Sequence, residues 1–169
     1  FDHRVQLEEI AARHGQGEER IRRFKQLIAD GARQGAGDRA GAGAILDGRF
    51  GEDVLPTLTG RGWWIARPVE LPGSRPLAFE AGDELALHLR EWPAEHVAKC
   101  LVSYHPQDEA ALRAAQQQRL LQLQSACVGT GHELLVEVIP PRDLARDAAT
   151  LATALQQLYQ AGVRPDWWK

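Results

Sequence analysis

The clearest pattern of hydrophobic and polar positions lies near the end of the chain. Residues 133–139 form a β run that Pro140 and Pro141 stop, and residues 143–160 then repeat Leu151, Leu155, Leu158 and Tyr159 at helical spacing before Gly162. Proline cannot donate to a sheet ladder, and glycine accepts the left-handed backbone that closes a helix. The preceding segment has the same grammar. Residues 97–105 predict a strand, Pro106 breaks it, Asp108 stands near a helix start, and residues 110–128 predict a helix that ends before Gly129 and Gly131. A β run, a turn, an amphipathic helix and a further β run are the signature of right-handed parallel βαβ units.

Earlier strands are weaker. Residues 44–47 predict one, after a helix over 18–32 and a glycine-rich connector over 31–43 expected to be a mobile loop. Residues 63–67 predict another, followed by a helix over 83–92. With Phe1-Asp2-His3 taken as the tail of a first strand and residues 165–169 as a sixth, the order predicts an α/β fold. The expected architecture is a (β/α)8 TIM barrel, here a fragment covering strands 1 to 6, in one partial domain over 1–169 with no internal boundary. A doubly wound open sheet produces the same order, although no Gly-x-Gly-x-x-Gly follows a strand to favour a nucleotide-binding version. The barrel usually takes about 250 residues, so about two units are expected to be missing. The chain holds no methionine and ends inside a predicted strand, as an excised piece would.

Alternation along the strands selects the candidate chemistry. In residues 97–105, Lys99, Leu101, Ser103 and His105 share one face, and in residues 133–139 Glu137 shares a face with Glu133, Leu135 and Ile139. The opposite face of that second strand, Leu134, Val136 and Val138, is wholly apolar and is expected to pack under helices. Lys99 and Glu137 therefore point inward from neighbouring strands, about 5 Å apart. A plain buried ion pair and a working site are both open readings of that placement. Asp2 and Lys169 add ionisable groups at the ends of the first and sixth strands, where barrel enzymes keep their chemistry. An amine that attacks a ketone must be neutral, which burial and a second lysine favour. A carboxylate beside it can shuttle protons as a carbinolamine loses water, which suits Glu137.

Composition narrows the function by exclusion. The apolar content of 44% is that of a globular chain, and the net charge of −3 is mixed along it without a basic stripe, so nucleic acid is not expected as a partner. No run approaches the roughly 18 apolar residues that span a bilayer, no leader is legible at the start, and Cys100 and Cys127 lack metal-ligand spacing. A cytoplasmic location without membrane contact is expected. His3, Asp47, His105 and Glu137 could be assembled into a divalent-metal site of a class II enzyme, but no close histidine pair anchors it. Arg4, Arg49 and Arg67 each follow a strand and could bind a carboxylate or phosphate, or be salt-bridged. Trp63, Trp64, Trp167 and Trp168 read as packing.

Several motifs carry a resemblance that runs from end to end. Phe1-Asp2-His3-Arg4, Leu46-Asp47-Gly48-Arg49-Phe50-Gly51, Gly60-Arg61-Gly62-Trp63-Trp64-Ile65 and Arg67-Pro68-Val69-Glu70 are four of them. The others are Val97-Ala98-Lys99-Cys100-Leu101 with Tyr104-His105-Pro106, Glu137-Val138-Ile139-Pro140-Pro141 and Pro165-Asp166-Trp167-Trp168-Lys169. Together they resemble the C-terminal domain of bacterial inositol-catabolism proteins, where it is fused to an N-terminal ribokinase-like 5-dehydro-2-deoxygluconokinase. That domain is in turn similar to class I tagatose-bisphosphate aldolases, whose barrel carries an aspartate, a lysine, a glutamate and a Schiff-base lysine on strands 1, 4, 5 and 6.

By motif, the resemblance implies Asp2, Lys99, Glu137 and Lys169 as catalytic residues, with Lys169 forming the Schiff base, and Arg4, Asp47, Arg49, Arg67 and His105 as candidates for substrate binding. It implies cleavage of a small-molecule sugar phosphate, 6-phospho-5-dehydro-2-deoxygluconate, to dihydroxyacetone phosphate and malonate semialdehyde, with no metal or cofactor. Phosphate-binding residues are expected on strands 7 and 8, outside this chain, so a fragment could be inactive. The fused kinase is an expected partner in the parent protein, kinase activity is not assigned to these residues, and homo-oligomerisation stays open. The alternative is a non-catalytic sugar-phosphate-binding or assembly module.

Overall fold

The computed structural model describes residues 3–37 and 41–169, and the chain divides into two units, Phe1–Pro68 and Val69–Lys169. The first begins with two successive helices, α1 (Arg4–Arg13) and α2 (Glu18–Ala36). Glu18 and Glu19 place negative charge at the positive end of the α2 dipole, and Gly37, at φ 53°, ends the helix with a backbone that L side chains rarely adopt. Leu7 and Ala11 of α1 meet Ile21 of α2 and Phe50 in a small apolar cluster. Strand β1 (Gly43–Ile45) pairs parallel with β2 (Trp64–Pro68), Ala44 opposite Ile65, with the single turn of α3 (Leu55–Leu58) between them in sequence. Leu46, Val54, Leu55, Leu58 and Ile65 close over Ala29 of α2 to make the main core of this unit.

The second unit contains α4 (Leu85–Arg90), β3 (His96–Val102), α5 (Ala110–Thr130), β4 (Leu134–Val138), α6 (Ala148–Gln160) and β5 (Trp167–Trp168). Its strands are parallel and follow sequence order, with Lys99 opposite Leu135, Leu101 opposite Glu137 and Leu135 opposite Trp167. One face of β3 and β4, made of Ala98, Cys100, Val102, Leu134, Val136 and Val138, is buried under Leu120, Leu123 and Cys127 of α5 and Ala154 and Leu158 of α6. Burying a large apolar side chain contributes about 1.5–3 kcal/mol. A one-residue slip of either strand would turn its apolar set outward and its charges into the core, so this face sets the register. The Asp147 side chain caps α6 by accepting from the Thr150 N–H at 2.8 Å, and Gly131, at φ 76°, ends α5.

The fold is α/β, but the expected (β/α)8 barrel segment with six strands is corrected. Five strands occur among the described residues, and β1 at Gly43–Ile45 is the first of them. Phe1 and Asp2, assigned to an initial strand, lie outside the described residues, and His3 is the N-cap of α1. Helix α1 passes to α2 with no strand between, a step that strict strand-helix alternation does not contain, and α3 is too short to cover a barrel strand. The connector predicted over 31–43 is also shorter, because α2 continues to Ala36 through Gly31 and Gly35. Among the described residues, no helix is long and apolar enough to cross a membrane.

Candidate active site

Over the polar face of β3 and β4, four charged groups meet in a row: Lys99 and Glu137 from the strands themselves, and Glu70 and Lys169 from outside them. Lys99 projects from β3 opposite Leu135, two positions before the Leu101–Glu137 pair, so Lys99 and Glu137 stand on one face as alternation predicted. Past β5, Lys169 continues the ladder: its N–H donates to the Val136 carbonyl at 3.0 Å, and its carbonyl accepts from Val138 at 3.2 Å. That register sets Lys169 beside Glu137. Lys99 Nζ lies 3.2 Å from Glu137 Oε2, and Lys169 Nζ lies 3.0 Å from Glu137 Oε1, so one carboxylate bridges two amines.

The fourth member is Glu70, which sequence reasoning left out of the site. Lys99 Nζ donates to Glu70 Oε1 at 3.4 Å, while Glu70 Oε2 accepts from the Leu101 N–H at 3.0 Å. Signs alternate along the row, Glu70, Lys99, Glu137, Lys169, and the formal charges sum to zero. Side-chain exposure rises from 3% at Lys99 through 15% at Glu137 to 52% at Lys169. A charge as buried as Lys99 is costly unless paired, and here carboxylates flank it on two sides. The two amines therefore differ in kind: Lys99 is enclosed and held, whereas Lys169 is open to a solute.

A compositional signal could have singled these positions out. The chain has three lysines against 17 arginines, and each lysine meets a carboxylate: Lys25 with Asp47, Lys99 with Glu70 and Glu137, Lys169 with Glu137. Arginine meets almost every other need for positive charge, but it stays protonated and cannot serve as an amine nucleophile. Where a chain so rich in arginine retains lysine, the amine itself is worth attention. Glu70 could have been found only from its place at the end of the Arg67-Pro68-Val69-Glu70 motif, since it lies in no strand with a face to count.

The remaining sequence candidates have other surroundings. Asp2 lies outside the described residues. Asp47 is fully buried against Lys25 in the first unit, and its Oδ1 accepts from the Phe50 N–H at 2.7 Å. Arg49 is exposed, paired with Glu8 and Glu18 at 2.9 and 2.5 Å, with its guanidinium 4.7 Å from the centre of the Phe50 ring. Arg4 is buried, and burial pushes the Arg67 guanidinium down to about 10, an effect that Glu52 partly offsets. In the second unit, both ring nitrogens of His105 are engaged: Nδ1 accepts from the Gln107 N–H at 3.1 Å, and Nε2 lies 3.1 Å from the Ala145 carbonyl. That arrangement suits a neutral tautomer holding the loop after β4. Among the described residues, no group of three or more histidine, cysteine, aspartate or glutamate side chains is arranged to hold a metal ion.

A family model described as "Uncharacterized protein conserved in bacteria (DUF2090)" matches residues 1–169. No curated protein matches the chain.

Proposed function

The chain belongs to this bacterial family, DUF2090, and we propose that within it the Glu70, Lys99, Glu137 and Lys169 row serves a class I aldolase in which Lys169 forms the Schiff base. The observation that carries this reading is the Glu137 carboxylate bridging a buried amine and an exposed one, 3.2 and 3.0 Å away. An amine must shed its proton before it can attack a carbonyl, and Glu137 is within hydrogen-bond reach to receive it. The same carboxylate can return a proton to the carbinolamine oxygen as water leaves.

The substrate follows from the resemblance to the inositol-catabolism domain. Lys169 condenses with the C5 ketone of 6-phospho-5-dehydro-2-deoxygluconate, releasing water. The C3 hydroxyl loses its proton, the C3–C4 bond breaks, and its electron pair moves into the iminium to form an enamine. Malonate semialdehyde departs as the C1–C3 fragment. Protonation at C4 and hydrolysis then release dihydroxyacetone phosphate and restore the amine. Glu137 attends the nitrogen, Lys99 supplies fixed positive charge beside it, and Asp2 takes the C3 hydroxyl proton in the reading drawn from the resemblance. In the parent protein, this activity would sit beside a fused kinase domain.

Borohydride reduction in the presence of substrate tests the assignment. The expected result is a covalent dihydroxyacetone phosphate adduct, located by peptide mass spectrometry on Lys169 and abolished in Lys169→Arg. Saturable binding of the sugar phosphate with no adduct on any lysine would refute the Schiff base and leave a non-catalytic binding module.

A further inference from the structure

The row contains two amines, and a Schiff-base site needs one of them to react while the other keeps its charge. Burial alone would not assign the roles, because desolvation disfavours the charged form of any lysine. What separates Lys99 from Lys169 is Glu70. Its side chain is only 7% exposed, and the carboxylate is held by both oxygens: Oε2 accepts from the Leu101 N–H at 3.0 Å and Oε1 from Lys99 Nζ at 3.4 Å.

The segment that carries Glu70 is held with equal care. Glu70 bridges antiparallel to Phe79, Leu71 donates to the Ala78 carbonyl at 2.8 Å, and Glu80 donates to Val69 at 3.0 Å. The fully buried Gln116 of α5 then ties this strap to the end of β3, accepting from the Leu77 N–H at 2.6 Å and donating to the Ser103 carbonyl at 2.8 Å. Arg119 adds a bond to the Leu77 carbonyl at 3.2 Å and lies over the Phe79 ring. A carboxylate on such a mount is preorganised, so little ordering is needed to keep it against the amine.

We propose that Glu70 is a positioning residue that locks Lys99 as a permanent ammonium, so that carbonyl chemistry is confined to Lys169. The inference deepens the aldolase reading and rests on it for its consequence, but the lock can be measured without substrate. Among the described residues, Glu70 from the strap and Glu137 from β4 are set against Lys99, with Lys169 next beyond Glu137. Replacing Glu70 by glutamine preserves an acceptor for Leu101 but removes one negative charge, which takes the row from neutral to +1.

The test is a pH titration of the intact chain grown with 13Cε-labelled lysine. Its three lysines give three signals, assigned by single arginine substitutions. In the unsubstituted protein, the Lys99 signal should stay that of an ammonium up to about pH 10, near the ordinary lysine value. In Glu70→Gln its midpoint should fall by about one unit or more, the usual effect of losing an opposite charge at this range. Glu70→Asp, which keeps the charge, should recover most of that fall, while the circular dichroism and urea midpoint of each variant report that the fold is intact. A Glu70→Gln midpoint equal to the unsubstituted one would overturn the lock. So would a neutral Lys99 below about pH 8 in the unsubstituted protein, a measurement that does not depend on any variant folding. Failure of borohydride trapping with the lock intact would sink the aldolase instead, so the two failures are distinct.

Discussion

Replacing Asp47 decides between two roles for that residue, a ligand for substrate and half of a buried ion pair. Both Asp47 and Lys25 have side chains with 0% exposure, so Asp47→Ala removes a carboxylate from beside an ammonium that water does not reach. Breaking a buried pair by removing one partner costs about 3–5 kcal/mol. The Phe50 N–H, bonded to Asp47 Oδ1 at 2.7 Å, loses its acceptor as well, adding about 1 kcal/mol or more. Together these reach the lower end of an ordinary domain's stability, about 5–15 kcal/mol. Asp47→Asn keeps an oxygen for Phe50 but not the charge, so it should fall between the parent and Asp47→Ala. The double variant Lys25→Met with Asp47→Asn removes both charges and should regain most of the loss. Urea unfolding followed by circular dichroism, with the parent, Asp47→Asn, Lys25→Met and the double variant as the corners of one double-mutant cycle, reads the coupling directly. If Asp47→Ala lies within about 1 kcal/mol of the parent, or the double variant is no better than Asp47→Ala, the burial argument is wrong.

Three further outcomes follow from the packing. Burial pushes the Cys100 thiol well above its ordinary value and the Cys127 thiol up to about 12, so neither should react with iodoacetamide at pH 8 until the protein is unfolded. A thiol whose folded-state value exceeds its unfolded value contributes its stability fully below the ordinary 9.0 and loses it as pH climbs toward 12. Urea midpoints should therefore decline over that window, and less steeply in Cys127→Ala; identical slopes would contradict the assignment. At Gly51, an added Cβ would lie 2.6 Å from both the Asp47 carbonyl oxygen and the Leu46 side chain, and a backbone atom cannot step aside. Gly51→Ala should cost about 1–3 kcal/mol in urea unfolding, whereas an unchanged midpoint would show that the Asp47–Gly51 turn yields.

Much of the candidate site was legible from alternation. A period of two placed Lys99 and Glu137 on one face and the apolar side chains on the other, and the observed register, Leu101 opposite Glu137, agrees. Lys169 was placed at the end of the last predicted strand by its position alone, and the structure sets it on the ladder beside Glu137. Helix α1 was not legible because it has little apolar stripe and no side-chain N-cap, with Arg4 and Ala11 as its buried residues. The continuation of α2 was missed because Gly31 and Gly35 resemble a connector. Each glycine costs a helix about 1 kcal/mol relative to alanine, and a nineteen-residue helix packed through Ile21, Lys25 and Ala29 absorbs that.

Local pattern thus determined the strands and helices of the second unit, their order, and the face on which its charges lie, because hydrophobic periodicity and glycine and proline punctuation act within a few residues. Tertiary structure alone decided three other matters: that the alternation does not begin as a barrel, that Asp47 turns inward to Lys25, and that Glu70 closes on Lys99 from 29 residues away. The physical reason is common to all three. A charge in the interior is tolerated only where an opposite charge from a distant segment meets it, and no local pattern specifies which segment arrives.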